Sequence, residues 1–401
     1  LFILATQTRA EVWKATENWN QEWEAKYQEW IASDAFNKRI FIDQSSPYKN
    51  LATDCADIAY AARIIFSYEN KIKFKSLNPD KEHVSIFNKY VNSSTGRFDS
   101  FPEGPERVKA YITYLGKFSG TDLLSSKDTY PIALKAIKPG DFYIAEKVVK
   151  GITIRHTYII KKVYPSGIFD LYYSTLPYMV RELKYHRGLP LFSFPAAPYG
   201  FRRFINSSLI DKEIQTYPDY STEEYDLLKT TGPENILIEI SKKIRVTEEG
   251  YQTNINRVLG NICRAINDRT HDVDESVNFV ESVQYRCVTK SEFDNYSTPL
   301  QDERIYKQIS LIHNFWRSIQ DLSILKFYDK STVQGMNYLI GKKPSSAKAL
   351  TQLCGNYSSN PISIKEFYER YSNGTLSSHP NDIRATRWGM DKSRTNCPMY
   401  Y

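Results

Sequence analysis

The sequence predicts an α+β fold: an antiparallel sheet with one prominent apolar helix, followed by a mostly helical C-terminal domain. Three observations carry this. Residues 138–205 hold runs of β-branched and aromatic residues punctuated by turns. From about residue 211, apolar residues instead recur at three- and four-residue spacing. Between Thr53 and Phe66, a polar turn meets Cys55 and an apolar helical pattern follows at once.

The elements follow in chain order. Residues 1–10 resemble the tail of a secretory signal peptide, with a small-x-small end. Residues 11–40 hold a Trp-rich helix over 11–36. Trp19, Trp23, Tyr27 and Trp30 line one face of it, a stripe expected to pack on the next domain. The helix after Cys55 runs to Glu69 or Asn70, with Ile58, Ala61, Ala62, Ile65 and Phe66 as its apolar face. Further helices are expected over 81–91 and over 105–118, the latter opened by Pro105.

Lys138-Pro139-Gly140-Asp141 is a turn entering a strand through Ala145. Thr153–Val163 and Ile168–Thr175 form a hairpin around Pro165-Ser166, in which Val163 opposes Ile168 and His156 opposes Thr175. Residues 186–203 read as irregular, with a last strand over 201–205. The expected domains are therefore 41–210 and 211–401. Helices of the second are expected over 222–245, 251–268, 273–285, 301–328, 331–340, 345–355 and 363–373. Leu311, Phe315, Ile319 and Leu322 mark the apolar stripe of the fourth.

Composition narrows the function classes. The net charge of +7 comes from scattered Lys and Arg, without a basic run, so nucleic acid is not an expected partner. No run of 18 apolar residues occurs, so no transmembrane segment is expected. The cysteines number five, and an odd count in an oxidising compartment leaves one thiol over. Pairing neighbours, Cys263 with Cys287 and Cys354 with Cys397, leaves Cys55 free, although four cysteines allow three pairings. No Cys/His group has metal spacing, so neither metal nor cofactor is expected.

A cysteine at a helix N-terminus meets unpaired N–H groups and the positive end of the dipole, which favour a thiolate. Such a nucleophile needs a base, and strand residue His156 is the best placed of six histidines. A third group to orient the imidazole is sought on the return strand, where Asp170 and Ser174 are rivals; the expected register puts Asp170 on the other face. Oxyanion donors are the Cys55 N–H with Tyr48 or Asn50. Asp57 stabilises the helix start or meets a substrate amine.

Four pieces, in order, resemble the NlpC/P60 and CHAP group of papain-like cysteine peptidases and amidases. They are Tyr48 ahead of Asp54-Cys55, the Pro139-Gly140-Asp141 strand entry, Arg155-His156-Thr157-Tyr158, and Pro165-Ser166-Gly167-Ile168-Phe169-Asp170. The resemblance spans roughly residues 40–205. It implies a papain-like domain with Cys55 as nucleophile, His156 as base and Tyr48 aiding the oxyanion. It also implies metal-free hydrolysis of amide bonds in bacterial cell-wall peptides. Ala56-Asp57 stands where the family has Ser-Gly, and Arg155 where it has Gly or Ser. The expectation is thus a secreted or periplasmic cysteine hydrolase with peptidoglycan or another peptide as substrate. Its rivals are an inactive papain-like module that binds an envelope or cell-wall partner, and transglutaminase-like acyl transfer.

Overall fold

The computed structural model describes residues 11–77, 90–149, 152–342, 354, 357 and 360–400. The 1–10 segment, nearly all of the expected 81–91 helix and most of the expected 345–355 helix lie outside them. The chain divides into two units, Leu1–Glu248 and Glu249–Tyr401.

The first unit is α+β. It contains α1 (Gln21–Ala32), α2 (Asp57–Glu69), β1 (Lys75–Leu77), β2 (Tyr90–Asn92), α3 (Pro105–Phe118), the three-residue α4 (Thr121–Leu123) and β3 (Thr129–Pro131). Then come β4 (Phe142–Val149), β5 (Ile152–Val163), β6 (Phe169–Tyr173), β7 (Lys184–Gly188), β8 (Gly200–Phe204), α5 (Glu223–Thr231) and α6 (Ile236–Ile244). The main sheet is antiparallel, in the order β3-β8-β4-β5-β6-β7.

Register and pleat assign its two faces. Phe142 opposes Ile159, which opposes Tyr172, and directly opposed residues share a face. Phe204 joins this face, its ring 6.4 Å from Phe142, and Tyr60 of α2 meets Phe204 at 5.9 Å. Helix α2 therefore covers the Phe142 face. The opposite face carries Tyr143, Tyr158 and Phe201 and is closed by Phe194 and Tyr225 of α5.

Hydrogen bonds between α5 and β8 explain the unit boundary. Glu224 of α5 accepts the Phe201 N–H at 2.9 Å, and Arg202 donates to the Tyr225 hydroxyl at 3.0 Å. The α5–α6 pair is thus part of the first unit, and the expected boundary at 210/211 moves to 248/249. Gly232 at φ 73° and Pro233 split the expected 222–245 helix in two. Strand β7 replaces part of the expected irregular segment.

Local chemistry accounts for the other pieces. Asn20 caps α1 by accepting the Trp23 N–H at 2.9 Å. The rings of Trp19, Trp23, Tyr27 and Trp30 gather around Phe66 of α2 at 5.4–6.4 Å. Arg63 stacks 3.6 Å above Trp19 and pairs with Glu24. The aromatic stripe therefore packs on α2 within the same unit. In the Pro139-Gly140-Asp141 turn, Gly140 has φ 88°, and a Cβ there would lie 2.6 Å from Tyr27. Asp141 accepts the Lys138 N–H at 2.8 Å and pairs with Arg203 at 2.7 Å.

The second unit is helical. It contains α7 (Tyr251–Ser282), α8 (Lys290–Tyr296), α9 (Pro299–Ser318), α10 (Lys330–Leu339), α11 (Ile364–Ser372) and α12 (Arg384–Arg387). The two helices expected over 251–285 are one. Disulfides join Cys263 to Cys354 and Cys287 to Cys397, not sequence neighbours. From Cys263 the helix continues to Ser282, about 28 Å of rise, so Cys263 cannot reach Cys287. On α9 the core side is Ile305, Ile309, Ile312 and Trp316, whereas Leu311 is 71% and Phe315 40% exposed. Both stripes have helical spacing, and only packing selects between them. Among the described residues no helix is long and apolar enough to cross a membrane.

Candidate functional site

Cys55 precedes α2 by two residues and is the cysteine left out of the disulfides. The turn that presents it is closed reciprocally: Asp57 accepts the Asp54 N–H at 2.9 Å, and Asp54 accepts the Ala56 N–H at 3.3 Å. This is an acidic version of a capping box, Asp54-x-x-Asp57, legible in the sequence. It places two carboxyl groups around the sulfur.

Burial, with those carboxyls behind it, reverses the expected effect of the helix end. Burial first and then the charge of Asp54, with a smaller push from Asp57, drive the Cys55 thiol up to about 12, against the Thr121 hydrogen bond and the Ala56 N–H. A helix terminus contributes typically about 0.3–1 kcal/mol toward an anion, too little to win against burial and two acids. Burial and the Asp54 charge also push Asp57 up to about 7, against the Asp54 N–H. The sulfur lies 3.7 Å from Thr121 Oγ1 and directs its proton toward the Arg155 carbonyl at 3.9 Å.

His156 is not on the Cys55 side of the sheet. It opposes Ala145 in an unbroken stretch of register, so Arg155 and Thr157 face α2 and His156 faces the other way. Its ring meets Tyr158 at 4.5 Å and Tyr173 at 5.0 Å, edge to face. On the α2 side, the neighbouring strand positions offer a guanidinium and a hydroxyl, neither of them a base at neutral pH.

The other expected site residues hold structural positions. Asp170 lies on the face opposite His156 and accepts from Arg187 Nε at 2.7 Å and the Tyr164 hydroxyl at 2.7 Å, with Tyr185 as a third donor. Burial pushes its carboxyl up, but the hydrogen bonds from Arg187, Tyr185 and Tyr164 hold it below the usual range. Ser174 donates to the Thr53 carbonyl at 3.0 Å and accepts the Thr53 hydroxyl at 3.1 Å, tying the end of β6 to the Cys55 turn. Tyr48 is buried and donates to Glu69 at 3.0 Å, at the far end of α2 from Cys55, so it is no oxyanion donor. Asn50 is an exposed turn residue at φ 67°, its N–H bound to the Phe41 carbonyl.

Sequence reading missed Thr121, which touches the sulfur, and the polar group beside it. Thr121 and Asp122 come from α4, which carries no helical periodicity. Arg155 Nε reaches Asp122 at 2.7 Å and Glu146 at 2.8 Å, and the Tyr199 hydroxyl lies 2.8 and 2.7 Å from the same two carboxylates. No group of three or more His, Cys, Asp or Glu able to hold a metal ion occurs among the described residues.

Gly116 of α3 makes room for this acidic turn. A Cβ there would lie 2.4 Å from Asp57 Oδ1 and 2.8 Å from its Cγ. Gly116→Ala is therefore expected to destabilise the unit by about 1–3 kcal/mol, the range for overpacking. Gly116→Ala made with Asp57→Ala should recover most of that loss. Thermal melts of the two variants check this.

No protein-family model, curated protein or solved structure matches this chain.

Proposed function

We propose that this chain is a secreted binding protein built on a papain-like scaffold, with a partner in the bacterial envelope or cell wall, and that it does not work as a thiol hydrolase. One observation carries the reading: His156 projects from the face of β5 away from α2 and Cys55. Acyl transfer needs the base within about 3 Å of the sulfur, directly or through one water. The raised thiol supports the same conclusion, because a neutral thiol is a poor nucleophile. Two disulfides support an oxidising compartment. Beside the Cys55 turn, Thr53 pairs with Met179, and the alternating Leu176, Tyr178 and Val180 stand 54%, 46% and 37% exposed. That row is the partner surface in this reading.

Native alkylation with iodoacetamide across a pH series, read by peptide mass spectrometry, tests it. Cys55 is expected to label slowly up to about pH 9 and quickly only after unfolding, as a raised thiol dictates. Cys55→Ala is expected to keep its fold and its retention on envelope or wall preparations. Selective labelling at mildly acidic pH, or amide hydrolysis abolished by Cys55→Ala, would overturn the reading.

A further inference from the structure

We propose that Asp122, Arg155, Glu146 and Tyr199 form a latch that holds the Thr121–Leu123 turn over the Cys55 sulfur, and that its opening governs access to the thiol. The proposal concerns access to the sulfur, not its use, and stands apart from the binding reading.

Beyond Thr121 and Asp122, the bonds that hold the turn are local: the Ser125 and Ser126 hydroxyls donate to the Asp122 carbonyl at 3.1 and 2.6 Å, and the Leu124 N–H to the Gly120 carbonyl at 3.1 Å. Helix α4 is three residues long, has no side-chain cap, and is followed by a single irregular turn, Leu124–Asp128. Its first residue, Thr121, is buried on the sulfur. Its second, Asp122, is 60% exposed and sends Oδ1 to Arg155 Nε at 2.7 Å and to the Tyr199 hydroxyl at 2.8 Å. Through Asp122 the turn is thus tied to β5 and to the segment entering β8.

The other half of the latch is fixed. Glu146 and Arg155 oppose each other in the β4–β5 register. Glu146 Oε2 meets the same Nε at 2.8 Å and the same hydroxyl at 2.7 Å. The Arg155 Nε–H donates to Glu146 and, at 3.2 Å, to the Tyr199 hydroxyl, and Asp122 meets the guanidinium as an ion pair, so the two carboxylates compete for the one O–H. A hydroxyl has a single proton to donate, so Tyr199 serves one carboxylate at a time. The like charges repel, and the carboxylate on the short turn is the one free to leave. Among the described residues, Arg155 makes no hydrogen bond through Nη1 or Nη2, and its side chain is 37% exposed. Ions in solution can therefore reach the guanidinium and screen it.

The full chain, with disulfides intact, provides the test, because Cys55 is its one unpaired cysteine. The readout is the native iodoacetamide rate at Cys55, at one fixed pH. Asp122→Ala is expected to raise it about threefold to tenfold, Asp122→Asn less, and about 1 M NaCl on the unaltered chain should act in the same direction. Glu22→Gln, which breaks the exposed Lys26–Glu22 pair on α1, serves as the control and should leave the rate unchanged. Thermal midpoints separate latch opening from unfolding; should Asp122→Ala melt early, Asp122→Asn and the salt series decide. Equal rates in Asp122→Asn, in Asp122→Ala and at both salt levels overturn the proposal. So does an acceleration by Glu22→Gln as large as that by the Asp122 variants.

Discussion

The N-terminal unit is expected to lose stability as pH rises from about 5 to about 8, by roughly 3–5 kcal/mol in aggregate. Three buried carboxyls cause this. Asp57 is pushed up to about 7, Asp128 to about 6 and Glu224 to about 8, in each case chiefly by burial. None accepts a hydrogen bond from Lys or Arg among the described residues. Asp57 Oδ1 and Glu224 Oε1 have no partner there at all. Asp128 takes the Tyr60 hydroxyl at 2.7 Å and the Leu77 N–H at 3.2 Å, both neutral donors. Arg202, near Glu224, spends its donors on Thr129 and Tyr225.

The sign follows from linkage. In the unfolded chain these groups release their protons near their ordinary values of 3.8 and 4.5. The folded state holds the protons to higher pH. Its advantage is complete below the unfolded values and is lost as pH climbs through the folded ones. For a unit of this size the thermal midpoint should fall by roughly 10 °C between pH 5 and pH 8. Glu224→Gln, which cannot ionise, should remove the largest share of the slope. A midpoint that is level across this range, or one that rises, would sink the prediction.

Asp302→Ala is expected to cost the C-terminal unit about 3–5 kcal/mol, a large part of a typical domain's stability. Arg269 is wholly buried and pairs with Asp302 through Nε at 2.5 Å and Nη2 at 3.2 Å. Arg387, also wholly buried, has Ser377, Ser276 and Thr298 as its hydrogen-bond partners. Burial and the charge of Arg269 push Arg387 down to about 9, which still leaves it charged at neutral pH. Removing Asp302 leaves two guanidinium groups sharing a dry core. It also strips the Thr298 and Ser378 hydroxyls of their acceptor. Asp302→Asn keeps the volume and an acceptor oxygen, so a loss nearly as large there would identify charge, not the cavity, as the cause. Near-ultraviolet dichroism of buried Trp316 and Trp388 reports the transition.

Much of the fold was legible because it is local. Period-two runs located β4, β5 and β6, and period-3.6 runs located α2, α3 and most C-terminal helices. Even the hairpin register was readable: Ile159 opposes Tyr172 on the expected line, and only a bulge between Ile160 and Lys162 shifts the turn end, so that Val163 meets Phe169. The odd cysteine count leaves one thiol over; that it is Cys55, and that the other four pair as they do, was decided by the fold, in part by how far α7 runs.

The site was less legible, and the reason is geometric. The sequence by itself determined that Arg155 and Thr157 share one face of a strand and that His156 takes the other. It determined the Asp54-x-x-Asp57 turn and the helix behind it. Only the tertiary structure decided which face α2 would cover. That choice rests on the strand order β3-β8-β4-β5-β6-β7 and on Tyr60 packing against Phe204, contacts between residues far apart in the chain. Alternation along a strand separates two faces without saying which is which. The packing of the whole sheet makes that assignment, and here it put the sulfur and the imidazole on opposite sides.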